Sequence, residues 1–361
     1  VLVISNYHDT VASRPEAETF IGLKKLGIDI EIMTQGDSQH AERFRQHGIR
    51  VIDYTLHKKN SKQDIRFIRE ELLKGSHRIL HLFNNKAIVN GLKAARKLPV
   101  KIVLYRGYTG NIHWYDPASY TKFLHPRVDK IVCLAESVRE LLMRQLFFKN
   151  SKAVTINKGH SPDWYADIKE IDLNEFNLPK NAFIVVCVAN ARRMKGIPYL
   201  VKSSYHIPED LPVHYMLVGK GLDTPAVKKI VENSPNKDKI HFTGFRKDAL
   251  RIVKSSNVFL LASIKGEATT KAVIEAMSLG VPPVVTNIPG NRELVINNKS
   301  GVVVPARQPK EMAQAILELY HHPERCKELG RKAKTHVVEN FHIKNTIEKT
   351  KKLYEALMHS H

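Results

Sequence analysis

The sequence predicts an α/β fold made of two doubly wound, Rossmann-like domains, and three observations lead there. Short β-branched runs alternate with amphipathic helical stretches along the whole chain, the rhythm of parallel strands covered by helices on both faces. The runs number about thirteen, more than one twisted open sheet usually holds. The rhythm weakens across Asn157–Asn181, which carries Gly159, Pro162 and Pro179, as a connection between domains would.

Taken in order, strands are expected at Val1–Ser5, Ile28–Thr34, Arg50–Tyr54, Ile79–Leu82, Lys101–Tyr105, Lys130–Leu134 and Ala153–Ile156. A second set follows at Phe183–Ala189, His214–Val218, Ile240–Thr243, Val258–Leu261, Pro283–Thr286 and Gly301–Val304. A helix over Lys344–Met358 closes the chain. The expected division is residues 1–160, residues 161–341 and a final helix in residues 342–361. Open α/β sheets bind ligands at the carboxyl ends of their strands, so the site is expected in a cleft between the two domains.

Composition narrows the function. Of 361 residues, 43% are apolar, enough for real cores. Lys and Arg number 57 against 36 Asp and Glu, a net charge of +21 that is denser in the first half. Such a surface attracts anions: nucleic acid, anionic lipid or phosphorylated substrates. Cys133, Cys187 and Cys326 form no CxxC pair and read as reduced thiols of a cytoplasmic protein. No apolar run approaches the ~20 residues that span a bilayer. The opening Val1–Ile4 reads as a buried strand, so no signal peptide is expected. No Asp-x-Asp pair offers hard oxygen ligands, so no metal site is expected.

The most informative segment runs from Glu267 to Gly280. Thr269–Leu279 reads as a helix with Gly280 as its stop. Glu267 then precedes the helix and Glu275 lies about two turns inside it, about 12 Å away along the axis. That is about the length of a sugar–diphosphate–ribose backbone, and the first-turn N–H groups between the acids suit a diphosphate. On spacing alone the pair is equally an acid capping its own helix and a solvated mid-helix acid. Asn190-Ala191-Arg192-Arg193-Met194-Lys195-Gly196 follows the first strand of the second half. A strand-to-helix turn there is a common place for phosphate. Three cations in four positions suggest neutralisation of a diphosphate, or else a solvated turn.

These pieces together resemble the family 4 glycosyltransferases of GT-B architecture, also called glycosyl transferases group 1. The resemblance is carried by the Glu267…Glu275 frame, by residues 190–196, Leu217–Gly221, Ile240–Phe245, Pro289–Glu293 and Ser300–Pro305. In the first half it is looser, mainly Thr155–Gly159. The resemblance implies that Arg192 and Lys195 bind the donor diphosphate and that Glu267 holds donor-sugar hydroxyls. It implies that the backbone of Ala268, Thr269, Thr270 and Lys271 donates to sugar and phosphate oxygens, and that Gly219 belongs to the donor-binding residues. Glu275 would bind ribose, and Phe245 and Arg246 the nucleobase. It also implies a retaining, metal-independent transfer with no cofactor beyond the UDP- or GDP-linked donor, and a last helix that returns to the first domain.

The first half departs from the family. Asn6–Glu16 replaces a Gly-Gly loop, so Arg14 and Glu16 are candidate side-chain contacts on the acceptor side. Arg106 and Asn111 stand where the family has its acceptor loop, as contacts or as structural residues. His160 reads as a hinge residue. The basic run Lys58, Lys59, Lys62, Arg66, Arg69, Lys74 and Arg78, with Leu141, Leu142 and Phe148 on a helix ending in Lys149 and Lys152, suggests docking on an anionic inner-membrane surface. The alternative is a core helix beside a solvated basic face. A glycan or lipid-linked acceptor of the lipopolysaccharide type fits that reading. No recognition module supports a nucleic-acid partner. The competing readings are a sugar-nucleotide epimerase of the same architecture and a non-catalytic protein that binds anionic polymers.

Overall fold

The computed structural model describes residues 1–8, 13–146 and 152–359. It divides into two units, Val1–Gly159 with Ile343–His361, and His160–His342.

The first unit is built on seven parallel strands: β1 (Leu2–Ile4), β2 (Glu31–Thr34), β3 (Arg50–Asp53), β4 (Ile79–Leu82), β5 (Lys101–Arg106), β6 (Lys130–Cys133) and β7 (Ala153–Thr155). Their helices are α1 (Arg14–Lys25), α2 (Gln39–Gln46), α3 (Lys62–Lys74), α4 (Asn85–Ala94), the one-turn α5 (Pro117–Tyr120) and α6 (Glu136–Met143). The sheet order is β3-β2-β1-β4-β5-β6-β7, so the winding reverses between β1 and β4.

The second unit has six parallel strands: β8 (Phe183–Val188), β9 (Val213–Val218), β10 (Ile240–Gly244), β11 (Val258–Leu261), β12 (Pro283–Thr286) and β13 (Val302–Val304). Its helices are α7 (Ile197–Ser203), α8 (Pro225–Glu232), α9 (Ala249–Lys254), α10 (Lys271–Ser278), α11 (Pro289–Leu294), α12 (Pro309–His321) and α13 (Pro323–Asn340). The order is β10-β9-β8-β11-β12-β13, reversing between β8 and β11. The last helix, α14 (Ile343–His359), belongs to the first unit.

The central strands are buried on both faces because helices cover both, which is why they read as near-continuous apolar runs, broken only by His81 and His214. Each expected strand is present. The second starts at Glu31 rather than Ile28 because the Ile28 amide still closes the end of α1, donating to the Leu23 carbonyl at 3.1 Å. Helix α14 lies close on α1 at a glycine: a Cβ at Gly22 would come 2.3 Å from Ile347 Cδ1. Tyr354 of α14 is buried and its hydroxyl hydrogen-bonds His81 Nδ1 at 2.7 Å.

Most of Asn157–Asn181 is not a free linker. Tyr165 and Leu178 are buried in the core of the second unit, and Trp164, Ile168 and Phe176 pack against it. These side chains carry too much apolar surface to stay in water. His160 is buried, stacked on Tyr165 and hydrogen-bonded to its hydroxyl, and its amide donates to the Phe341 carbonyl at 2.7 Å. In α6, Val138 and Leu142 face the core while Leu141 is half-buried. Phe148 and Lys149 lie outside the described residues. Among the described residues no helix is long and apolar enough to cross a membrane.

Candidate active site

Strand β11 ends at Leu261, and the following turn carries Glu267 to the start of α10. The Glu267 carboxylate is 8% exposed. Its Oε1 accepts from Lys195 Nζ at 2.6 Å and from Ser263 Oγ at 2.6 Å, and its Oε2 accepts from Thr270 Oγ1 at 3.1 Å. A further layer fixes Ser263: its carbonyl accepts from the Thr286 hydroxyl, and Asn291 Nδ2 donates to the Thr286 carbonyl at 2.9 Å. Gly290 at the start of α11 presses on this turn, where a Cβ would lie 2.3 Å from the Glu267 carbonyl oxygen. Ser263 and Thr286 were missed by the sequence reading, because their signal is spatial: they sit at the ends of neighbouring strands. Asn291, in the Pro289–Glu293 stretch at the start of α11, was visible as part of a motif, but its contact with Thr286 was not.

Thr270 occupies the N-cap of α10 without capping it, since its hydroxyl is given to Glu267. The helix therefore starts at Lys271, two residues later than expected. The helical rise does not set the whole spacing between the two acids, because Glu267–Thr270 is a turn. At the other end Gly280, at φ 78°, stops the helix as expected.

Lys195 reaches Glu267 across 72 residues of sequence because two turns are tied together. The Ile264 amide donates to the Met194 carbonyl at 2.8 Å. Gly196 takes a left-handed φ of 67°, and a Cβ there would lie 2.0 Å from the Ala262 carbonyl oxygen, so only glycine fits. The pair is nearly dry, with side chains 13% and 9% exposed. Burying it is tolerated because the two hydroxyls also satisfy the carboxylate. An ammonium has three donors and Glu267 takes one, which leaves two for a phosphate. Arg192, one turn earlier, is exposed, and among the described residues it has no ion pair.

Glu275 is paired with Lys271, one turn before it in α10. A lysine in the first turn of a helix opposes the dipole, by a few tenths of a kcal/mol. It therefore concentrates positive potential at the end of α10, where Lys195 also stands. Ala268 and Thr270 are buried and Thr269 is half-buried, so this turn is a firm backbone surface.

The remaining candidates in this unit are placed as follows. Gly219, at φ 151°, ends β9 against β8: a Cβ would lie 1.9 Å from the Ala189 carbonyl oxygen. Its amide donates to the Gly244 carbonyl at 2.8 Å. Phe245 is 71% exposed, a large apolar ring left in solvent. Arg246 is fixed by Asp248 at 2.8 Å and Glu175 at 2.8 Å, which hold its guanidinium pKa above the usual value. Among the described residues no group of three or more His, Cys, Asp or Glu is arranged to hold a metal ion.

In the first unit Glu16 is half-buried and accepts from the Tyr105 hydroxyl at 2.7 Å and from Lys158 Nζ at 2.7 Å. Arg14 opens α1 and is half-buried. The residues between, Asp9–Ala12, lie outside the described residues. Arg106 is buried, its guanidinium 3.7 Å from the centre of the Tyr108 ring and 4.7 Å from that of Phe123. It donates to the Gly110 carbonyl and so holds the loop that presents Asn111, which is exposed with φ 56°. The sequence reading missed a hollow of about 430 Å³ at the carboxyl ends of β1 to β4, lined by Asn6, Tyr54, Lys59, Asn84 and Lys86 among others. It sits beside the reversal of winding, where doubly wound sheets bind ligands.

Two family models match this chain: Glycosyl transferases group 1 over residues 168–336 and Glycosyltransferase Family 4 over residues 18–164. The chain belongs to glycosyltransferase family 4. This glycosyltransferase is 28% identical over 252 residues to an uncharacterized glycosyltransferase, MJ1069, of Methanocaldococcus jannaschii, a match covering 68% of this chain and 63% of that protein. It is 24% identical to the UDP-Gal:alpha-D-GlcNAc-diphosphoundecaprenol alpha-1,3-galactosyltransferase of Escherichia coli, over 78% of this chain and 76% of that one. Its fold is similar to that of HepE from Anabaena, crystallised in complex with UDP-glucose, with a TM-score of 0.78 at 15% identity, covering 98% of this chain and 99% of that chain. The two parallel-sheet units are those of the GT-B architecture.

Proposed function

We propose that this glycosyltransferase moves a sugar from a UDP- or GDP-linked donor to a glycan or lipid-linked acceptor of the cell envelope, with retention and without a metal. The observation that carries this reading is the dry Lys195–Glu267 pair at the start of α10, beside an Arg192 that no acid among the described residues neutralises. The donor diphosphate takes the two remaining Lys195 donors, the fork of Arg192 and the first amides of α10. Glu267, oriented by Ser263 and Thr270, accepts from donor-sugar hydroxyls. Glu275 accepts from the ribose hydroxyls after exchanging part of its bond to Lys271. The exposed ring of Phe245 offers a face for the nucleobase, beside the fixed Arg246.

In the transfer the bond from the sugar C1 to the diphosphate oxygen breaks, and a bond from C1 to the acceptor oxygen forms on the same face. The acceptor proton passes to a donor phosphate oxygen, since no side chain at this turn stands out as a base. Arg192, Lys195 and the helix start stabilise the charge that grows on the leaving diphosphate. Because cations carry that charge, EDTA leaves turnover within about twofold; a loss restored by a divalent ion contradicts the metal-free reading.

The Escherichia coli relative's name specifies a diphosphoundecaprenol-linked acceptor, which supports a lipid-linked or lipopolysaccharide-type acceptor here. For docking on an anionic inner leaflet, α3 contributes less than its sequence suggests. Arg66 is paired with Glu70, Lys74 faces Glu71, and Arg69 donates to the Ala94 and Arg96 carbonyls. Lys58, Lys59 and Lys62 are exposed and carry the proposal. Flotation with anionic vesicles at low salt tests it, and failure to float rejects it.

The function itself is tested by a thermal-shift panel of UDP-, GDP-, ADP- and CMP-sugars, followed by product analysis with and without acceptor. A UDP- or GDP-sugar raises the melting temperature by mass action. Conversion of the donor alone into an epimer contradicts transfer.

A further inference from the structure

The turn that holds Arg192 also borders a hollow of about 490 Å³ on the α7 side of the second unit. Ligand pockets commonly enclose about 300–1,000 Å³. Its rim carries four cations: Arg192, Arg193, Lys202 on α7, and Arg307 from the turn after β13. All four are exposed, and among the described residues none has a carboxylate within ion-pair distance. Elsewhere in the same unit Arg246 is matched by Asp248 and Glu175, and Arg325 by Glu318. Arg307 stands at φ 61°, a left-handed conformation uncommon for a residue with a side chain. The walls are apolar, with Ile197, Leu222 and Val227 among them. Lys195, Glu267 and Glu275 do not line this hollow, so it is separate from the donor frame except for the shared Arg192.

We propose that Arg193, Lys202 and Arg307 form a second anion subsite that takes a phosphate monoester, free or carried on a larger ligand. Like charges gathered around one hollow repel one another until an anion enters, and guanidinium forks match phosphate oxygens in pairs. The apolar walls give the body of a carried phosphate somewhere to rest. The phosphate site stands apart from the proposed function; only its nearness to a donor diphosphate, through the shared Arg192, rests on that reading.

The test is calorimetric titration at low salt, with inorganic phosphate, glucose 6-phosphate and UDP as probes. The proteins are the full chain and its Lys202→Ala/Arg307→Asn variant. Both side chains are exposed, and asparagine tolerates the left-handed backbone. Equal melting temperatures confirm that the variant folds, and if they differ, Lys202→Glu alone serves instead. The expected result is phosphate and glucose 6-phosphate binding about tenfold weaker in the variant, with UDP changed less than about twofold. Tighter binding of glucose 6-phosphate than of phosphate in the unaltered protein assigns a carried phosphate, and equal binding assigns the free ion. Unchanged phosphate affinity in the variant overturns the subsite. So does a parallel tenfold loss for UDP, because the hollow is then part of the donor frame. If phosphate binding responds as expected but UDP binds neither protein, the donor reading fails while the subsite stands.

Discussion

The two units use the same sheet design but present their polar residues differently. In the second unit the chemistry is concentrated in a few contiguous stretches: residues 192–196, 219, 245–246 and 267–275. There, ion pairs and hydroxyls fix each carboxylate. In the first unit the hollow at the ends of β1 to β4 is assembled from four separate strand ends and the loops after them, each giving three or four lining residues. A contiguous site has a sequence signature, whereas an assembled one has none. The contrast fits the proposed roles: a donor whose nucleotide diphosphate is chemically constant, bound by the second unit, and an acceptor that differs between enzymes, bound by the first.

The largest effect that would test this contrast is on turnover in the second unit. Arg192→Ala and Lys195→Ala are each expected to lower kcat by about 10²-fold or more, about 2.7 kcal/mol. They differ in stability. Lys195→Ala strips a buried carboxylate of its ammonium and lowers the melting temperature, whereas Arg192→Ala leaves an exposed arginine's surroundings unchanged. Near-normal turnover in a folded double variant rejects the catalytic role.

Smaller effects separate binding from chemistry. Glu275→Ala is expected to raise the donor KM about tenfold while kcat holds, since ribose is bound alike before and during reaction. A fall in kcat at constant KM contradicts the ribose assignment. In the first unit, Lys59→Ala with Lys86→Ala is expected to raise the acceptor KM by several-fold and leave donor binding unchanged. A change in donor affinity instead removes the functional contrast between the two units.

Acid stability gives one probe in each unit. Burial lowers the His81 pKa to about 3. In the second unit, burial followed by repulsion from His241 and Lys239 lowers that of His214 to about 4. An unfolded histidine takes its proton near 6.5. Below that pH the unfolded chain binds more protons, so stability falls as pH drops, by up to ~1.4 kcal/mol per unit per histidine. For His214 this continues until about pH 4 and for His81 until about pH 3. Melting curves from pH 7 to 4 show this slope. His214→Gln is expected to flatten it, and an unchanged slope contradicts the assignment.

Much of the architecture was legible in the sequence, because buried parallel strands leave apolar runs and every one of those runs forms a strand. The exceptions have local causes. Thr270 gives its hydroxyl to Glu267 and so delays α10, and the aromatic residues after His160 fold onto the second unit instead of forming a linker. At the candidate site, the Glu267 and Lys195 turns were legible as motifs, but their meeting depends on Gly196 and on the Ile264–Met194 hydrogen bond. Ser263 and Thr286 gave no signal, since a polar residue at a strand end is ordinary until its neighbours are known, and Asn291 showed only as part of the Pro289–Glu293 motif. The burial of Arg106 between two rings was equally hidden.

The most direct test of the central claim is a crystal structure of the protein soaked with UDP or GDP. The account predicts the diphosphate within hydrogen-bonding distance of Arg192 and Lys195 at the start of α10, with the ribose hydroxyls on Glu275. A nucleotide bound elsewhere, or a diphosphate with Lys195 still held by Glu267 alone, contradicts it.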